Sequence, residues 1–83
     1  MLYRIVDVKA LPQYRLWVKF ENGIEGEVDL SNLVGKGVFK AWRDPGAFEQ
    51  VYVDDDACTA AWPGGLDLAP DALYRDIAGV GLQ

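Results

Sequence analysis

The chain has no histidine and a single cysteine, Cys58. Without an imidazole, the commonest general base for a hydroxyl or thiol nucleophile is missing, and the nucleophiles themselves are few: Ser31, Thr59 and Cys58, besides the tyrosines. One cysteine excludes an internal disulfide and a zinc-finger cysteine cluster, and it fits a reducing compartment. Long apolar runs are absent as well. No stretch approaches the roughly 18 residues of a membrane span. Arg4, Asp7 and Lys9 interrupt the opening MLYRIVDVKA, which leaves no room for the apolar core of a secretion signal. The expectation is a cytoplasmic protein with no membrane association and no enzymatic activity.

What is present is an ordinary globular composition over 83 residues, 51% hydrophobic and 25% charged, enough for one domain spanning 1–83 and too little for two. A chain this small buries only about 60–68% of its unfolded surface, so assembly into a homo-oligomer would strengthen its core. The net charge of −5 is unevenly spread. Residues 1–20 carry four bases against one acid, or +3, and residues 21–83 carry four bases against twelve acids, or −8. Such acidity disfavours a general nucleic-acid binder, which draws its affinity from neutralising phosphates.

Residues 3–10, YRIVDVKA, are rich in β-branched and aromatic types and run into Pro12, predicting a strand and a turn. In YRLWVKF, Tyr14, Leu16, Val18 and Phe20 alternate with Arg15, Trp17 and Lys19; in IEGEVDL, Ile24, Gly26, Val28 and Leu30 alternate with Glu25, Glu27 and Asp29. Each reads as a strand with one apolar face. Between them, Asn22-Gly23 suggests a two-residue turn, but that turn would pair Phe20 with Glu25 and put a core ring and an acid on one face. A three-residue loop with Gly23 left-handed pairs Phe20 with Ile24 instead. Lys19 then faces Glu25, Trp17 faces Glu27 and Arg15 faces Asp29, giving opposite-charge pairs on the outer face.

The stretch SNLVGKG is a turn region with Ser31 as a candidate helix cap, and Val38, Phe39 and Trp42 form a short helical stripe that Asp44-Pro45 ends. QVYVDDDACTAAW predicts a second hairpin turning at Asp54, Asp55 and Asp56, with Cys58 inside a strand, and Pro63-Gly64-Gly65 closes it. Asp67, Pro70 and Asp71 mark the entry of a terminal helix that carries Leu73, Tyr74 and Ile77 and stops at Gly79, with Asp71 and Arg75 spaced for a surface pair. The fold class is therefore α+β: an antiparallel three-stranded meander, a short helical crossover, a second β-hairpin and a C-terminal helix.

Motifs with chemistry are scarce. Gly35-Lys36-Gly37 continues as Val38-Phe39-Lys40 and matches neither the dinucleotide fingerprint nor the Walker spacing. Gly23 to Gly26 has the outline of an RNA-clamping loop but holds an acid inside a hairpin. Counting a calcium loop from Asp54 places Thr59 and Gly65 where a glycine and a glutamate are needed, so neither metal nor cofactor is expected. What remains is aromatic surface. Trp17, flanked by Arg15 and Lys19 on the charged face, is an interface anchor unless another part of the chain covers it. Trp62 and Tyr74 either pack on each other and the sheet or line a pocket.

FENG, VDLSNL, FKAWRDPGAFEQVYVD, AAW and GGLDLAPDALY together resemble the small bacterial family known as domain of unknown function 2442, with the block from Trp62 to Tyr74 the most specific part. The resemblance implies a compact α+β domain and no catalytic residue or cofactor. Similar domains stand before a helix-turn-helix segment or are encoded beside a second small protein in pairs that look like toxin and antitoxin. The sequence ends at Gln83 just after the terminal helix, so a DNA-binding role supplied by an added domain is not expected. The leading expectation is a non-enzymatic protein-interaction module, antitoxin-like, binding a small basic partner protein. The alternatives are a nucleic-acid-linked regulator using Arg4, Lys9, Arg15 and Lys19, and a small-molecule module near Trp62 to Tyr74.

Overall fold

Period-two alternation builds the first half of the molecule. The computed structural model describes residues 3–78. Strands β1 (Ile5–Leu11), β2 (Arg15–Phe20) and β3 (Glu25–Asp29) form an antiparallel meander in the order β1-β2-β3. The β2–β3 register pairs Arg15 with Asp29, Trp17 with Glu27 and Lys19 with Glu25, as side-chain parity requires. Gly23 takes φ +92° and donates its N–H to the Phe20 carbonyl at 3.0 Å, while Phe20 donates to the Ile24 carbonyl at 2.8 Å. Leu16, Val18, Phe20 and Val28 are buried on the inner face. Ile24 is not: it belongs to the loop ahead of β3 and stands 37% exposed.

β1 carries a bulge. Ile5 lies opposite Phe20 and Asp7 opposite Lys19, so Val6 is an extra residue, 49% exposed. The Ile5 N–H donates to the Cys58 carbonyl at 2.9 Å, which ties this strand to the second half of the chain. The β1–β2 connection is strained. Gln13 and Tyr14 both have left-handed φ, 65° and 60°, a conformation that costs an ordinary L-residue roughly 1–2 kcal/mol. Three contacts hold Tyr14 there: its hydroxyl donates to the Trp42 carbonyl at 2.6 Å, its ring meets Phe48 edge-on at 5.2 Å, and its carbonyl accepts the Leu30 N–H at 2.9 Å.

The crossover consists of 3-10 turns at Ser31–Leu33 and Gly37–Arg43 and one α-turn, α1 (Pro45–Phe48). Ser31 does not cap it. The Asp29 carboxylate accepts the Ser31 N–H at 2.9 Å just ahead of the turn, whose N-cap position is Leu30, and at the start of α1 Asp44 is the cap, its side chain accepting the Gly46 N–H at 3.0 Å. The Phe39 ring leans on Trp42 at 4.8 Å; the side chain of Val38 lies outside the described residues.

Strands β4 (Tyr52–Asp54), β5 (Thr59–Trp62) and β6 (Leu66–Asp67) make a second antiparallel sheet in that order. The sequence predicts a two-stranded hairpin there. The difference is β6: Gly64 and Gly65, at φ +95° and +89°, reverse the chain so that Leu66 and Asp67 pair with Trp62 and Ala61. Asp67 is therefore a strand residue, not part of the helix entry. Cys58 also departs from its assignment. It sits in the β4–β5 turn at φ 57°, half-buried, because the Asp54 carboxylate and carbonyl gather the N–H groups of Asp56, Ala57 and Cys58 into a tight reversal.

Helix α2 (Pro70–Ala78) follows, with Leu73 buried and Arg75 facing Asp71 at 3.9 Å. Gly79 as its end lies outside the described residues. α2 rests on the inner face of β3, where a Cβ on Gly26 would stand 2.7 Å from Ile77 Cγ2. This glycine is a docking point for the helix, which accounts for the glycine of GIEG.

A candidate interaction face on the first sheet

Because the inner face of the meander is filled, residues of opposite parity form an outer face of three rows. Asp7, Lys19 and Glu25 make one row, Lys9, Trp17 and Glu27 the middle row, and Leu11, Arg15 and Asp29 the third. Trp17 is at the centre. It is half-buried, packs against no member of the hydrophobic core and stacks on no other ring among the described residues.

The charges on this face are unequally engaged. Arg15 reaches diagonally to Glu27 at 3.2 Å, although Asp29 lies directly opposite. Glu25 accepts the indole N–H of Trp17 at 3.3 Å. Asp29 is held below the ordinary carboxylate range, chiefly by the Ser31 hydroxyl, then by the Ser31 backbone N–H, with Arg15 adding least. Asp7 accepts the N–H of Val8 at 2.9 Å. The expected Lys19–Glu25 ion pair does not form: the ion pairs among the described residues are Arg15–Glu27 and Arg75–Asp71. This face presents one indole, two ammonium groups with no ion pair among the described residues, and carboxylates that each accept a hydrogen bond from within the chain.

The other residues singled out in the sequence lie elsewhere. Trp62 is 2% exposed; it packs on Trp42 at 4.7 Å and Phe48 at 5.9 Å and donates its indole N–H to the Phe48 carbonyl at 2.7 Å. It is a core residue. Tyr74 stacks on Tyr3 at 4.2 Å, meets Phe20 edge-on at 5.0 Å and accepts from the Asn22 amide at 3.1 Å, so it joins α2 to the β2–β3 loop rather than to Trp62. Arg4 does not belong to the outer face: it lines a cavity of about 450 Å³ with Asp56, Cys58 and Asp71. Neither Trp62 nor Tyr74 lines that cavity. Lys9, by contrast, lies directly beside Trp17, a neighbour that the uncertain β1 register concealed in the sequence. Among the described residues no three cysteine or acidic groups gather as a metal cluster, and no helix is long and apolar enough to cross a membrane.

The family model for a protein of unknown function, DUF2442, matches residues 5–79. The chain belongs to the DUF2442 family. Among curated proteins none matches it. Among solved structures, this DUF2442 chain is similar to the crystal structure of "Putative DNA Binding Protein NE0471" from Nitrosomonas europaea ATCC 19718, with a TM-score of 0.80 and 23% identity. The likeness covers 100% of this chain and 54% of that one, so the DUF2442 chain spans about half the length of its structural neighbour. At that identity the shared property is the fold.

Proposed function

We propose that this DUF2442 chain is a non-enzymatic protein-interaction module of the cytoplasm, docking a partner protein through the outer face of β1–β3 with Trp17 as anchor. The supporting observation is Trp17 itself. A large aromatic at the centre of a sheet face, half-buried and outside the hydrophobic core, is the kind of residue on which interface energy concentrates, with truncation costing about 2 kcal/mol or more at a well-packed site. An antitoxin-like pairing with a second small protein is consistent with this arrangement.

The test is reciprocal capture from the native host with tagged wild type, Trp17→Ala and, as a control away from the face, Tyr52→Ala, whose side chain is 46% exposed on β4. A stoichiometric partner should be retained by wild type and Tyr52→Ala and lost by Trp17→Ala. Retention by all three would remove Trp17 as the anchor.

A nucleic-acid reading has two observations in its favour: Lys9, Arg15 and Lys19 flank Trp17 on one face, and the Nitrosomonas europaea protein of similar fold is named for DNA binding. Against it stand Glu25, Glu27 and Asp29 on the adjoining strand, where a polyphosphate would pass. Salt-sensitive retardation of a DNA duplex, lost on Trp17→Ala, would establish this reading over the protein partner.

A further inference from the structure

We infer that the outer edge of β3 receives an extended segment of a partner protein as a fourth strand of the first sheet, a segment in which basic and apolar residues alternate. This surface adjoins the Trp17 face and does not depend on Trp17. The Phe20 N–H donates to the Ile24 carbonyl at 2.8 Å and the Leu30 N–H to the Tyr14 carbonyl at 2.9 Å. Backbone groups along a strand alternate in direction, so Gly26 and Val28, of the same parity, bond to β2, whereas Glu25, Glu27 and Asp29 turn their N–H and C=O groups away from it. Among the described residues β2 is the one strand paired with β3, and no backbone hydrogen bond reaches those outward groups. The opposite edge of the sheet is guarded: β1 bulges at Val6, Ile5 donates to the Cys58 carbonyl, and the Asp7 carboxylate takes the Val8 N–H. β3 has neither a bulge nor a proline.

The charge of that edge selects the occupant. The outer face as a whole carries four carboxylates against three bases, but the bases all stand on β1 and β2, while β3 contributes Glu25, Glu27 and Asp29. A strand added beside β3 lies about 5 Å from those acids and about 10 Å from Arg15 and Lys19. Glu27 has an ion pair, with Arg15; Glu25 and Asp29 accept from the Trp17 indole and from Ser31, neutral donors that leave the charge in place. Lysines or arginines at alternate positions of the segment meet the three acids as cross-strand pairs, and main-chain bonds to the edge supply the rest of the affinity. The residues between them face inward, toward Ile77, which is half-buried where α2 crosses Gly26, and so are apolar. A second copy of the chain is a poor occupant. Two β3 strands paired antiparallel about a two-fold axis set Glu27 against Glu27 and Glu25 against Asp29, acid on acid throughout.

The test is amide hydrogen exchange of the full chain, read by NMR, alone and with a capped octapeptide alternating lysine and valine. In the free protein the amides of Glu25, Glu27 and Asp29 should exchange fast beside those of Gly26 and Val28; slow exchange at all five would show the edge already covered and overturn the proposal. At millimolar peptide the three edge amides should become protected, and no protection there would overturn it equally. Two controls check the pattern, one peptide with the lysines and valines in separate blocks and one alternating glutamate and valine. Binding of either as tight as that of the lysine peptide would overturn the alternating basic segment. Since only one set of amides in an added strand faces β3, N-methylating either the lysines or the valines should abolish binding while N-methylating the other set leaves it; equal effects would overturn strand addition. Glu25→Gln/Asp29→Asn keeps both hydrogen-bond acceptors and, with cooperative melting unchanged, should bind the lysine peptide about 3- to 10-fold more weakly, the scale of two exposed charge pairs. Unchanged affinity in that variant would overturn the role of the acids in choosing the partner.

Discussion

Replacing Gly26 by alanine tests the docking of α2 on the first sheet. The added methyl would lie 2.7 Å from Ile77 Cγ2 and 3.6 Å from Ile77 Cβ and Cγ1. Carbon atoms in ordinary contact sit about 3.5–4.0 Å apart, so the closest pair is too near by about 1 Å. Ile77 is β-branched and stiff about χ1, which leaves lifting the helix or an unfavourable rotamer as the means of relief. Overpacking of this kind costs about 1–3 kcal/mol. Gly26 does not have a positive φ, so alanine also restricts the unfolded chain and returns about 0.4–1 kcal/mol. The net expectation for Gly26→Ala is a loss of about 1–2 kcal/mol.

In an Ile77→Ala background the obstructing atom is gone, and the same substitution should be neutral or stabilising by up to about 1 kcal/mol. Urea unfolding of the four proteins of this cycle, followed by the fluorescence of the buried Trp42 and Trp62, measures both numbers. Equal cost of Gly26→Ala in the two backgrounds would refute the contact, and stabilisation in the wild-type background would refute the close approach of α2.

Three further outcomes follow from the same geometry. Trp62→Phe strands the buried Phe48 carbonyl, whereas Trp42→Phe removes an indole N–H that is buried without a partner among the described residues; chemical denaturation should show Trp62→Phe the more destabilising by at least about 1 kcal/mol, and equal losses would contradict this. Gln13→Gly should raise stability by about 0.5–1 kcal/mol by relieving a left-handed residue that is exposed, and a lower melting temperature would show that Gln13 is held by something more than the turn. Because the folded pKa of Asp29 is depressed, its contribution is present at neutral pH and fades as pH falls through that value; NMR titration of its carboxyl should give a midpoint below 3.8, rising towards it in Ser31→Ala, and an unchanged midpoint would remove Ser31 as the cause.

Much of the first sheet was legible because it depends on neighbours in the sequence. The period of two separated Leu16, Val18 and Phe20 from Arg15, Trp17 and Lys19, and parity across Glu21-Asn22-Gly23 selected the loop length and thereby the whole β2–β3 register. The features that were not legible each depend on a distant partner. Ile5 and Val6 are equally apolar, and only the bond from Ile5 to Cys58, far along the chain, determines which is buried and which bulges outward. Two residues of β6 are too short a run to show a period, and Cys58 looks like a strand residue until Asp54 draws it into a turn.

The candidate site divides along the same line. Sequence alone placed Trp17, Arg15 and Lys19 on one polar face, since a strand's alternation is a property of its own backbone. Whether another part of the chain covers that face, which strand adds Lys9 beside the indole, and why Trp62 enters the core while Tyr74 meets Tyr3 were decided by tertiary packing. Covering one apolar surface with another is a competition among all the surfaces the chain offers, and its outcome is written in no local segment.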